Sequence, residues 1–143
     1  MKLLEQLLNG KRHRLISIGP EETVFQALTV MAQFDIGALL VMEQGRPVGI
    51  FSERDYARKG VLLGRDSRDT PVRRVMSDKV VFVTLAQTVE DCMAIMTDRH
   101  IRHLPVLGED GSVAGFLSIG DLVKETISEQ TFIIGQLEHY ISH

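Results

Sequence analysis

The chain states one pattern twice, and that duplication constrains its fold more than any other feature. Gly49-Ile50-Phe51-Ser52-Glu53-Arg54-Asp55 returns as Gly115-Phe116-Leu117-Ser118-Ile119-Gly120-Asp121. Upstream, Thr23-Val24 returns as Thr88-Val89, Met31 as Met96, Ile36 as Ile101, Leu39 as Leu104 and Val41 as Val106, all at an offset of 65. At the glycines the offset is 66. One residue has been added in the intervening turn, where insertions cost least. Duplicated units usually bury their faces against each other. Any site they carry then occurs twice about a pseudo-twofold axis.

At 143 residues the halves, divided as 1–66 and 67–143, are each marginal alone and are expected to fold together. A 44% hydrophobic and 24% charged composition suits a soluble globular protein. The net charge of −3 gives no reason to expect nucleic acid or an anionic membrane as partner. No apolar run approaches the ~20 residues of a membrane span. The first residues are too acidic for a secretory signal. One cysteine makes no internal disulfide, which fits a reducing cytoplasm.

Each half reads helix, strand, helix, strand, strand, helix. Leu3, Leu4, Leu7 and Leu8 have amphipathic-helix spacing, with Gly10 as its stop, and Val72, Val75 and Met76 echo them in a second lead-in helix. Leu15–Ile18 and Val80–Val83 are expected to be strands. The apolar runs Ala38–Met42 and Leu104–Leu107 read as buried strands, each returning through a turn to 48–51 or 113–117. Helices open at Ser52, through about Lys59, and at Ser118, the latter running nearly to the C-terminus unless Gly135 bends it. The expected class is α+β: two small three-stranded sheets with helices, packed about the pseudo-twofold axis with a cleft between them.

The repeated element is Gly-h-h-Ser-x-x-Asp, with h apolar, at a strand-to-helix junction. Free N–H groups and the positive dipole end there suit an anion. A serine hydroxyl can donate to a phosphate oxygen. An aspartate one turn on can accept two hydrogen bonds from a ribose diol. The same pattern also makes a capping box, in which serine caps the helix and the acid reaches back. Glycine inside a strand, at Gly49 and Gly115, suggests that something approaches closely.

On these motifs, together with Ile101-Arg102-His103-Leu104-Pro105-Val106 and its counterpart Ile36-Gly37-Ala38-Leu39-Leu40-Val41, the chain resembles a tandem pair of CBS domains, the regulatory modules named after cystathionine β-synthase. The resemblance spans about residues 3–127. It implies binding rather than catalysis, with an adenine nucleotide (AMP, ADP, ATP or an NAD-type dinucleotide) between the repeats and no catalytic cofactor. It places the ribose-binding acid on Asp55 and Asp121, the hydroxyl on Ser52 and Ser118, and the cation on Arg102, beside His103 and Pro105. Gly37 and Ala38 occupy the matching positions of the first repeat, so a phosphate there would turn to Arg54, Arg58 or a residue of the other half, and the second site is the stronger expectation. A homodimer through helices and an unidentified regulated protein are the implied partners. An interaction module whose motifs serve only as caps is the alternative. No nucleophile–base pair, P-loop or metal-ligand cluster is readable, and Cys92 and the methionines read as core filler.

Overall fold

The computed structural model describes residues 2–9 and 15–142, with the backbone alone at Ser142. Gly10, expected to stop the first helix, lies outside the described residues. In chain order the elements are α1 (Leu4–Asn9), β1 (Ser17–Ile18), α2 (Val24–Phe34), β2 (Ala38–Glu43), β3 (Arg46–Ser52), α3 (Glu53–Asp55), β4 (Val83–Thr84), α4 (Val89–Arg99), β5 (His103–Leu107), β6 (Val113–Ser118) and α5 (Ile119–Ser142). The three residues of α3 run directly into a π-helical turn, Tyr56–Val61, and a 3₁₀ turn at Val72–Arg74 precedes β4.

Two three-stranded sheets form, ordered β1-β2-β3 and β4-β5-β6. In each the first pair is parallel and the second antiparallel. A parallel pair needs a crossover, and α2 and α4 supply it. Both crossover helices start with a complete capping box, Thr23 with Gln26 and Thr88 with Asp91. Both end on a left-handed residue, Asp35 at φ 53° and His100 at φ 56°. The duplication therefore extends to backbone conformation.

The lead-ins are exchanged. Leu4 and Leu7 of α1 are buried in the core of the second repeat, with Val83, Val89, Cys92, Met96, Leu104 and Leu117. Val72 and Val75 are buried in the first repeat's core, with Val24, Ala27, Met31, Leu39, Val41 and Phe51. Backbone hydrogen bonds fix both crossings: Leu4 N–H donates to Gln87 O at 2.9 Å, and Val72 N–H to Glu22 O at 2.8 Å. Each half thus completes the other's core, which ties together two units too small to stand alone.

The exchange accounts for the strand glycines. A Cβ on Gly49 would lie 2.6 Å from Met76 Sδ and 2.9 Å from Ser77 O, and one on Gly115 would lie 2.8 Å from Leu8 Cδ2. What approaches closely is the other half's lead-in. In the first repeat, Ile50 and Ser77 also exchange backbone hydrogen bonds of 2.9 and 2.8 Å, adding a bridge to the sheet edge.

Several elements differ from expectation. The strand expected over Val80–Val83 is only Val83–Thr84, because β5 offers it just two partners, Val106 and Leu107. The second lead-in is 3₁₀, too short for an α-helical hydrogen-bond ladder. The helix from Ser52 changes to π geometry after one turn. Gly135 does not interrupt α5; it stands in open space, and the local cost of about 1 kcal/mol is carried by the helix around it. No helix among the described residues is long and apolar enough to cross a membrane.

Candidate functional site

Strand pairing sets the geometry of both motifs. Register places Ala38 opposite Ser52 and His103 opposite Ser118. The first helical N–H then reaches the residue before the opposite strand: Glu53 N–H donates to Gly37 O at 3.1 Å, and Ile119 N–H to Arg102 O at 2.8 Å.

Both Ser-x-x-Asp motifs are closed as capping boxes. Ser52 N–H and Oγ–H both donate to Asp55 Oδ2, at 3.0 and 2.9 Å, and Asp55 N–H donates to Ser52 Oγ at 3.2 Å. Ser118 N–H donates to Asp121 Oδ2 at 2.8 Å, and Asp121 N–H returns to Ser118 Oγ at 3.1 Å. The helix starts therefore do not present the row of free N–H groups expected from the sequence, since three of the four donors around each motif are occupied within the chain. Asp55 Oδ1 keeps one partner, Lys59 Nζ at 3.7 Å, and that ammonium also donates to Met76 O at 3.4 Å.

A cavity of about 900 Å³ opens between the repeats, within the ~300–1,000 Å³ usual for small-molecule sites. From the first repeat it takes Gly37, Ile50, Ser52, Glu53, Arg54, Asp55 and Arg58; from the segment after the 3₁₀ turn, Ser77, Lys79 and Val81; from the second repeat, Arg99, His100, Ile101, Arg102 and His103. Seven sequence-derived site residues meet here: Gly37, Ser52, Arg54, Asp55, Arg58, Arg102 and His103. Ser118, Asp121, Ala38 and Pro105 do not line this cavity; Ala38 and Pro105 are buried in β2 and β5. By the repeat offset of 65, the counterpart of Val81 in a second cleft is Ile16, and that of Lys79 is Arg14, which lies outside the described residues.

The cavity's charge runs against that of the chain. Arg54, Arg58, Lys79, Arg99 and Arg102 face two carboxylates, Glu53 and Asp55. Cations of both repeats converging on one concavity focus a positive potential that draws an anion. Ile50, Val81 and Ile101 add apolar wall. His103 stacks on Phe116, with ring centroids 5.5 Å apart and planes at 22°. Burial lowers its pKa below the ordinary imidazole value, Arg102 lowers it further, and Asp121 opposes both. Arg99, Lys79, Ser77 and Val81 were missed from sequence. Lys79 and Val81 carry no motif, and the bridge of Ser77 to Ile50 helps bring their segment to the cleft.

The CBS domain family model matches residues 11–61 and 72–128, one match per repeat. The chain belongs to the CBS domain family. It is similar to the mitochondrial CBS domain-containing protein CBSX3 of Arabidopsis thaliana, 38% identical over 126 residues, which are 85% of this chain and 61% of that protein. The chain thus spans less than two thirds of that relative's length. It is also similar to the CBS domain-containing protein YhcV of Bacillus subtilis, 32% identical over 82% of this chain and 83% of the relative. Among solved structures, the CBS domain NE2398 shares 50% identity at a TM-score of 0.84, covering 89% of this chain and 99% of its own. A tandem CBS pair with exchanged lead-ins is therefore the architecture that holds the cleft.

Proposed function

We propose that this CBS pair is a non-catalytic regulatory module that binds an adenine nucleotide (AMP, ADP, ATP or an NAD-type dinucleotide) in the cleft between its repeats, and reports occupancy to a partner protein. The observation that carries the reading is the convergence of five cations from both repeats, with apolar walls and one sugar-competent carboxylate, on a cavity of nucleotide size. The cations hold phosphate, with Arg102 as a fork donor. Asp55 takes the ribose diol in the described cleft, and Asp121 with Ser118 does so in its counterpart. The base lies against Ile50, Val81 or Ile101. A ligand touching both repeats has different affinity for different repeat arrangements, and this difference shifts the population the partner meets. A CBS domain protein of Pyrobaculum aerophilum, 24% identical at a TM-score of 0.74, is described as complexed with AMP, a precedent at the level of fold. The module acts as a homodimer. The cytoplasm is its compartment on the single-cysteine argument; the Arabidopsis relative is named as mitochondrial, and fractionation of cells decides between them.

The closed capping boxes favour a second reading, in which the motifs only cap helices and the module works through protein contacts alone. A thermal-shift titration separates the two. Ligand at 100 times its dissociation constant adds about 2.7 kcal/mol of stability, so AMP, ADP, ATP or NAD should raise the Tm of the sensor and leave that of the interaction module unchanged. Asp55→Ala and Asp121→Ala should each cost about 1.5–3 kcal/mol of binding at their own cleft. Unchanged affinity in both variants overturns the ribose assignment.

A further inference from the structure

Beyond Thr126, α5 leaves its own core. Residues 130–141 are exposed throughout, yet this stretch carries Phe132, Ile133, Ile134, Leu137, Tyr140 and Ile141. Val123, Ile127, Gln130, Ile134, Leu137 and Ile141 recur at alternating steps of four and three, the seam spacing of a coiled coil, over about 27 Å of helix. The large seam side chains are turned to solvent: Ile127 is 57% exposed, Ile134 55%, Leu137 57% and Ile141 81%.

The flanking residues decide what covers this seam. Two copies packed parallel would set Ile133 against the partner's Glu138, an apolar side chain against a carboxylate. Two copies packed antiparallel, with Ile127 against the partner's Leu137 and Ile141 against the partner's Val123, change both flanks. Ile133 then meets the partner's Ile133 at the twofold axis. Lys124 meets the partner's Glu138 on the other flank, and the symmetry repeats that ion pair. The surface is thus self-complementary in charge and in apolar character, as an isologous twofold contact demands. A shift by one heptad in either direction shortens the seam and separates the charges. Gln130, the one polar seam residue, costs stability but adds register specificity.

We propose that α5 forms an antiparallel two-helix seam with α5 of a second copy, in the register that pairs Lys124 with the partner's Glu138. This deepens the homodimer named above and is independent of the nucleotide. Light scattering after size exclusion, on the full chain, gives the oligomeric state. The wild type is expected to be a dimer, and Ile134→Glu with Leu137→Glu a folded monomer by circular dichroism. A monomeric wild type overturns both the homodimer and the seam. A dimer that survives the double substitution overturns the seam alone. Lys124→Glu and Glu138→Lys should each raise the dissociation constant about fivefold, and together restore it; failure to restore overturns the register. Oxidative crosslinking reads the orientation, since Cys92, the native thiol, is buried. Ile127→Cys with Leu137→Cys in one chain should link two copies and Ile127→Cys alone should not. Crosslinking by the single variant overturns the antiparallel packing.

Discussion

Gly49→Ala tests the exchange of lead-ins directly. The added methyl would sit 2.6 Å from Met76 Sδ and 2.9 Å from Ser77 O. The sulfur can swing away. The carbonyl cannot, because Ser77 is held to Ile50 by two backbone hydrogen bonds. Overpacking of this kind costs about 1–3 kcal/mol. Alanine recovers ~0.4–1 kcal/mol by restricting the unfolded chain, which leaves a net loss of roughly 0–2.6 kcal/mol. For a chain of this size, near 2–4 °C per kcal/mol, the Tm should fall by up to about 10 °C. Gly115→Ala is the internal control: its methyl meets only the ends of the Leu8 side chain, at 2.8 and 3.0 Å. Leucine can turn within its rotamers, so this variant should lose less. Scanning calorimetry on the two variants measures the difference. Adding Met76→Ala to Gly49→Ala should rescue only part of the loss, since the Ser77 carbonyl remains. A Gly49→Ala protein at least as stable as wild type, or one more stable than Gly115→Ala, would refute the reasoning.

Leu4→Ala should destabilise by about 2–5 kcal/mol, because Leu4 is fully buried in the second core; hydrogen exchange should show β4–β6 losing protection before β1–β3. The His103 imidazole is held below its unfolded pKa, chiefly by burial. The unfolded chain then binds the extra proton first, so stability should fall as pH drops through about 6.5, and His103→Gln should flatten that slope in denaturant melts across pH 5–8. Burial pushes the Cys92 thiol up to about 11, so a thiol reagent at pH 8 should label it only after unfolding.

Much of the fold was legible because the sequence repeats its signals. Ala38–Met42 and Leu104–Leu107 are apolar runs too short for helices and bounded by turns, and both are strands. Thr23 and Thr88 precede apolar helical faces, and both are caps. The ownership of the lead-ins was not legible. Spacing shows that Leu4 and Leu7 share an apolar face, but periodicity does not say which core that face fills, and backbone pairing to Leu85, Gln87 and Val89 sends it to the other half. Val80–Val83 failed for a similar reason, since a strand extends only as far as its neighbour offers partners.

The site divides along the same line. Sequence found the residues that sit in a motif, Ser52, Asp55, Arg102 and His103, and passed over Lys79 and Arg99, whose only credential is where the fold delivers them. It also set capping against ligand binding as rivals, but the cap uses one oxygen of the carboxylate and leaves the other outside it. In Asp55 the cap consumes Oδ2, through Ser52 N–H and Oγ–H. Oδ1 is committed only to an ion pair with Lys59, long at 3.7 Å and partly exposed, a contact worth at most about 1 kcal/mol. Two hydroxyls of a sugar donating to that oxygen would outweigh it at ~1.5–3 kcal/mol for hydrogen bonds to a charged group. Lys59 would then be released from Asp55 while its second contact, to Met76 O, remains on the exchanged lead-in. On the proposed reading, a diol arriving at Asp55 would be felt by the segment that completes the first repeat's core, and occupancy of the cleft would have a physical route to the arrangement of the two repeats.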